Sequence, residues 1–153
     1  MTTTTTHAPP LRAASALETR LGLAAGVYAG LCLLAGLFYR TLTHSRDFTG
    51  STTLSLGHTH FLALGMLVML LVLVLERLFG LSASRAFRWF EPVYHAGLLV
   101  TVGALLVRGT LQVVAENPTS MAFAGVAGLG HILLTVALVM LFLALRSALR
   151  APR

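Results

Sequence analysis

Apolar residues in this chain neither alternate nor recur as a narrow stripe; they form long runs. Four stretches, about 21–38, 56–79, 92–114 and 121–145, are apolar almost throughout, with short polar segments between them. At about 1.5 Å of rise per residue, each approaches the ~20 residues that cross a hydrocarbon layer about 30 Å thick. A segment in lipid must satisfy its own backbone, so such runs predict transmembrane helices. The pattern therefore predicts an all-α fold, an integral membrane four-helix bundle over residues 18–147. Residues 1–17 begin with five consecutive threonines after Met1, include Ala8-Pro9-Pro10, and read as a disordered N-terminal tail; residues 148–153 read as a basic C-terminal tail. No clear cleavage site follows the first run, which reads as an anchored helix and not as a cleaved signal. Pro92 suits the first turn of the third helix, and Asn117-Pro118 breaks the chain before the fourth.

Composition agrees with the pattern. The chain is 56% hydrophobic and only 10% charged, with a mean hydropathy of +0.83. No hydrophilic stretch is left for a separate soluble domain, so any chemistry sits in or beside the bilayer. The net charge of +6 comes from arginine alone. Arg12, Arg20, Arg77, Arg85, Arg88, Arg146, Arg150 and Arg153 fall on one side of the four-span layout, against Arg40 and Arg46 on the other. By the positive-inside rule both termini are then cytoplasmic, and the basic charge records topology, not nucleic-acid binding. Phe87, Trp89 and Phe90 are expected in the inner interfacial belt. Cys32 is the sole cysteine, which excludes an intrachain disulfide, a CxxC redox pair and covalent c-type haem attachment.

Against this background the histidines stand out. The second run opens Gly57-His58-Thr59-His60-Phe61-Leu62-Ala63-Leu64-Gly65, placing two imidazoles where ionisable groups are costly and usually functional. Residues i and i+2 leave a helix about 200° apart, badly placed to chelate one ion and well placed to serve two neighbouring sites. Gly57 and Gly65 would let a flat, bulky group approach the backbone. The reading is haem. His131 lies deeper in the fourth run, roughly 9 Å below His60 by helical rise, and either ligates iron, supports a ligand or bonds a carbonyl. A ring of subunits about the membrane normal brings equivalent residues to equal height, so His58 of one copy and His60 of the next differ by about 3 Å. His95 approaches from the inner side and is expected at the interface or hydrogen-bonded within the bundle. His7 and His44 lie in the tail and outer loop.

Tyr94, Thr101 and Arg108 recur every seven residues, with Gly97 and Ala104 between them, as a polar, small-residue stripe suited to burial. Arg108, near the outer level, can pair with a haem propionate or snorkel to headgroups. Ala124, Gly128, His131 and Thr135 share one face of the fourth run. Gly22, Gly26 and Gly30 form overlapping GxxxG units that mark close helix packing.

The stretch 58–65 resembles the ligand-bearing helix of haem–copper oxidases and nitric oxide reductases, where His-x-His followed by Gly serves two haems. Residues 20–147 also resemble a bacterial family of small four-span membrane proteins of unknown function with this HxHxxxxG signature. The first resemblance implies that one chain corresponds to one four-helix arc of the oxidase subunit and that a homotrimer rebuilds the layout, with a dimer as the other arrangement. It also implies haem b (protohaem IX) with His58 and His60 as ligands to different haems. His131 stays a further candidate ligand by its position, and the expected setting is the bacterial cytoplasmic membrane with a quinol or outer-side redox partner. The chain lacks the adjacent His-His pair and His–Tyr helix that a copper site resembling the oxidase's would need. Expected, then, is electron transfer, or O2 or NO binding at an open axial position. A different class, a transition-metal site or transporter, suits imidazole. Transport is disfavoured because Glu18, Asp47, Glu76, Glu91 and Glu116 all lie at span ends or in loops. A cofactor-free accessory subunit is the remaining reading.

Overall fold

The computed structural model describes residues 13–115 and 121–150. His7, Arg12, Glu116, Asn117-Pro118 and Arg153 lie outside the described residues, as do the other expected tail positions 1–12 and 151–152. Helix α1 spans Ala16–Ser45, α2 Ser55–Phe79, α3 Arg85–Val114 and α4 Met121–Arg150. Among the described residues there is no strand. All four helices are long and apolar enough to cross a membrane. Only 22–33% of each apolar window is buried, and side chains such as Leu33 (75% exposed) and Phe142 (66%) point away from the protein. That outward hydrophobicity is what a lipid-facing surface requires, so this is a multi-pass membrane protein.

The helices outrun the apolar runs because polar caps extend them. Ser15 accepts from the Glu18 amide at 3.1 Å, and the Glu18 carboxylate accepts from the Ser15 amide at 3.0 Å. This reciprocal capping box starts α1 at Ala16, inside the stretch expected to be tail. Glu18 also accepts from Arg77 Nη1 at 2.9 Å, tying the start of α1 to the end of α2. Ser84 caps α3 by accepting from the Ala86 amide at 3.1 Å. Pro92 is therefore inside α3, not in its first turn, at the cost of one helical hydrogen bond. The early start of α3 also corrects the expected aromatic belt. Phe87 and Phe90 join Tyr94 on the buried face at helical spacing, and only Trp89, 64% exposed, faces outward.

Helices adjacent in sequence pack side by side, α3 against α4 most extensively, whereas α1 and α4 make no close backbone contact. The four helices thus form an arc open between its first and last members. Buried positions repeat at alternating steps of three and four: Leu21, Ala25, Tyr28, Cys32 and Ala35 on α1, and Leu134, Ala137, Leu141 and Ala144 on α4. That is the 3.5-residue seam of helices crossing at shallow angles. The Tyr94–Thr101 stripe lies on the buried face of α3, with both residues fully buried, and Gly97 between them and Ala104 beyond are buried too. Of the three GxxxG glycines on α1, Gly22 meets Leu73 of α2, but Gly26 and Gly30 do not pack within the chain. Nothing lies within 4 Å of a side chain added at Gly26 or Gly30.

Candidate functional site: histidines around a π turn

Helix α2 is not uniform. Ser55–His60 is α-helical, Phe61–Leu67 is π-helical, and Val68–Phe79 returns to α. The wide turn begins directly after His60 and contains the last five residues of the HxHxxxxG motif. Its packing consequence is legible in the buried positions Gly57, Phe61, Gly65 and Met69, spaced four apart. In an undistorted α-helix, steps of four drift by about 40° each and carry such a set around the cylinder. A π turn takes in extra residues and holds them to one side. Tyr94 Oη donates to the Leu64 carbonyl at 2.8 Å, so α3 supplies a partner to a carbonyl inside the irregular turn. Tyr94→Phe is expected to lower stability by about 1 kcal/mol. Hydrogen exchange should locate the loss in the π segment, and unchanged protection there would remove Tyr94 from this role.

The glycines of the motif are filled from within the chain. Leu106 of α3 occupies the space beside Gly57, and Tyr28 of α1 lies against Gly65, where an added Cβ would come within 2.6 Å of Tyr28 Cγ. Each glycine admits a neighbouring helix.

His58 stands opposite Gly36 of α1, 3.8 Å from where a side chain there would begin. Its Nδ1 is buried with no hydrogen-bond partner among the described residues. His60 is partly exposed, and its Nδ1 lies 2.9 Å from the Leu56 carbonyl. His131 is exposed, with its Nδ1 2.7 Å from the Ala127 carbonyl. A carbonyl only accepts, so both Nδ1 atoms carry the proton and both Nε2 atoms keep a free lone pair when the rings are neutral. His60 and His131 thus share one arrangement on two helices.

Their depths differ, as helical rise from the sequence predicts. Gly109 of α3 packs on the Leu54 backbone, and Gly57, three residues on, abuts Leu106 and Val102. His60 therefore lies near Gly103 of α3. Gly130 packs on Thr101 and Gly97, which sets His131 about one helical turn deeper along α3. The helix contacts thus keep most of the expected offset.

Arg108 is partly exposed, and among the described residues no hydrogen bond or ion pair involves it. Ala124, Gly128, His131 and Thr135 are all exposed on α4, an unpartnered face of one chain. Among the described residues, no three His, Cys, Asp or Glu side chains converge to hold a metal ion. A cavity of about 700 Å³ opens elsewhere, at the end of α1, lined by Arg40, His44, Asp47 and Phe48 among others.

Residues 19–148 match the profile of a family described as "Protein of unknown function (DUF2871)". The chain belongs to the DUF2871 family. No curated protein and no solved structure matches it. The DUF2871 segment contains the whole of α2 and α3, most of α1 and α4, and all four in-span histidines.

Sequence reasoning missed a second cluster. Tyr28 Oη lies 2.6 Å from His95 Nδ1, with the two rings stacked at 5.6 Å. His95 Nε2 faces Glu91 Oε1 at 4.0 Å, and Glu91 holds Arg20 through two hydrogen bonds of 2.8 and 2.5 Å. The i, i+4 spacing of Glu91 and His95 is readable as a helix pair. Their partners on α1 depend on how two helices distant in sequence dock.

Proposed function

We propose that this chain is a b-type haem-binding protein of the bacterial cytoplasmic membrane, acting in electron transfer or in binding O2 or NO. Its architecture is that of one four-helix arc of the haem–copper oxidase type. Two histidines with bare Nε2 atoms and carbonyl-anchored Nδ1 atoms, at the surface of an apolar helical arc, carry this reading. Iron in a haem needs one or two protein nitrogens, and this donor set suits it better than a chelated ion with three or four protein ligands. Backbone bonds to both Nδ1 atoms fix the tautomer and ring orientation, the support that metal-ligating imidazoles commonly have.

In this reading His60 and His131 present Nε2 to iron. His58, with a buried, unpartnered Nδ1, is the second histidine of the motif and serves a neighbouring site. Arg108 pairs with a propionate. The bound group supplies a one-electron redox centre and, with one axial position open, a site for a diatomic ligand. The residues orient it and exclude water: Phe61 and Leu106 close the interior side, and lipid or a second copy covers the exterior.

Exposure of His131 and of the Gly26–Gly30 face supports assembly into a homo-oligomer, a trimer by the oxidase likeness, with haem between subunits. The distribution of arginine supports cytoplasmic termini. The redox partner in this scheme is a quinol or an outer-side acceptor.

The test is an oxidised and dithionite-reduced absorption spectrum of detergent-purified protein, with a pyridine haemochrome assay. Expected are a Soret band and sharp reduced α and β bands of protohaem. No Soret band after expression with added haem would exclude the proposal. A Soret shift on adding carbon monoxide to the reduced protein would separate gas binding from pure electron transfer.

A further inference from the structure

The cluster of Tyr28, His95, Glu91 and Arg20 contains none of the proposed ligands. It runs from the arginine-rich end of the arc into its interior. Arg20 is exposed (64% of its side chain), Glu91 and His95 are partly enclosed, with 13% and 27% of their side chains exposed, and Tyr28 is buried. At the inner end Tyr28 touches the motif helix itself, stacking on Phe61 with ring centroids 6.0 Å apart and lying against Gly65.

The partner of His95 sets it apart from the other histidines. His60 and His131 bond to carbonyls, which only accept and lock one tautomer. His95 bonds to a hydroxyl, which can donate or accept. With His95 neutral, either Tyr28 donates to Nδ1 and the ring proton sits on Nε2, or Nδ1–H donates to Tyr28 and Nε2 is open toward Glu91. With His95 protonated, Nδ1 donates to Tyr28 and Nε2–H points toward Glu91. Neither state breaks the hydrogen bond, and Glu91 offers the imidazolium a countercharge. The charged and titratable groups facing His95 are Tyr28 and Arg20 from α1 and Glu91 from its own helix; no hydrogen bond or ion pair among the described residues reaches it from α2 or α4.

We propose that His95 is a proton-accepting site, reached past Glu91 from the arginine-rich face, that takes up one proton when one electron enters at the histidines of the motif. The electron comes from a quinol-class donor and the proton from water at the arginine-rich face. Uptake proceeds from the neutral tautomer whose Nε2 is open toward Glu91. An O–H bond of hydronium at the arginine-rich face breaks, the Nε2–H bond forms while Nδ1–H is kept, water leaves, and the added negative charge is compensated. Proton uptake is independent of haem; its coupling to reduction rests on the function proposed above.

Two measurements on the full chain test these parts. In haem-free protein with 15N-labelled histidine, the ring signal lost in His95→Gln should pass from imidazole to imidazolium between about pH 8 and pH 5. Glu91→Gln should raise the proton concentration needed by about tenfold, and Tyr28→Phe should also move the midpoint. A His95 ring that does not respond across this range would overturn the proton site. In haem-loaded protein, the midpoint potential should be highest at low pH and fall by up to about 59 mV per tenfold drop in proton concentration. That dependence should flatten in His95→Gln and shift in Glu91→Gln. A wild-type potential independent of pH, or a slope that survives both substitutions, would overturn the coupling. Absence of any haem spectrum defeats the haem reading, and the nitrogen titration then decides the proton site alone.

Discussion

His60→Ala is expected to lower the haem-to-protein ratio at least about tenfold, since losing even an outer-shell partner of a metal-bound imidazole commonly costs 10–100-fold in affinity. The substitution removes the iron-facing nitrogen and leaves the fold intact, because the His60 ring bonds only to its own helix at Leu56 and is partly exposed. His131→Ala should act in the same direction, its ring likewise anchored only to Ala127 of its own helix. His58→Ala should alter haem content or spectrum through the neighbouring site. His44→Ala is the control, since that ring lines the cavity at the end of α1. The pyridine haemochrome assay on each purified variant decides. Wild-type haem content in His58→Ala, His60→Ala and His131→Ala alike would remove these histidines as ligands.

Much of the fold is legible in the amino-acid sequence. Apolar runs of span length fix the helix count, because lipid leaves an unbranched choice between helices and closed barrels. The seven-residue recurrence of Tyr94 and Thr101, with Gly97 between and Ala104 beyond, marks the buried face of α3 because helical period alone determines which residues share a side. Three things are not legible there. Helix ends depend on single caps such as Ser15 and Ser84, which shift boundaries and carry Phe87 and Phe90 into the core. The π turn is invisible to a periodicity of 3.6, and it changes which faces His60 and Gly65 share. The Tyr28–His95 contact joins residues 67 positions apart and follows from docking, not from local pattern.

Gly130→Val is expected to be among the most destabilising single changes in the molecule. A Cβ at Gly130 would fall on Thr101 Oγ1, 2.7 Å from the Thr101 amide nitrogen and 3.0 Å from the Gly97 carbonyl oxygen. Two of those atoms are backbone of the facing helix and cannot swing away, so α3 and α4 would have to separate along their most extensive contact. The Gly130 Cα–H that occupies this direction points at Thr101 Oγ1, a buried hydroxyl oxygen with no conventional partner among the described residues. A weak Cα–H···O contact is its compensation, of the kind common where glycine brings membrane helices together. Overpacking in a close-packed interior costs about 1–3 kcal/mol, and a clash against backbone with loss of that contact places the expected cost at or above about 3 kcal/mol. Gly128→Ala, two residues away, meets nothing within 4 Å and should leave the single chain as stable as before. Reversible unfolding in mixed micelles measures both. A Gly130→Val protein as stable as Gly128→Ala would mean that α3 and α4 do not meet through Gly97, Thr101 and Gly130, and the depth of His131 against α3 would fall with that contact.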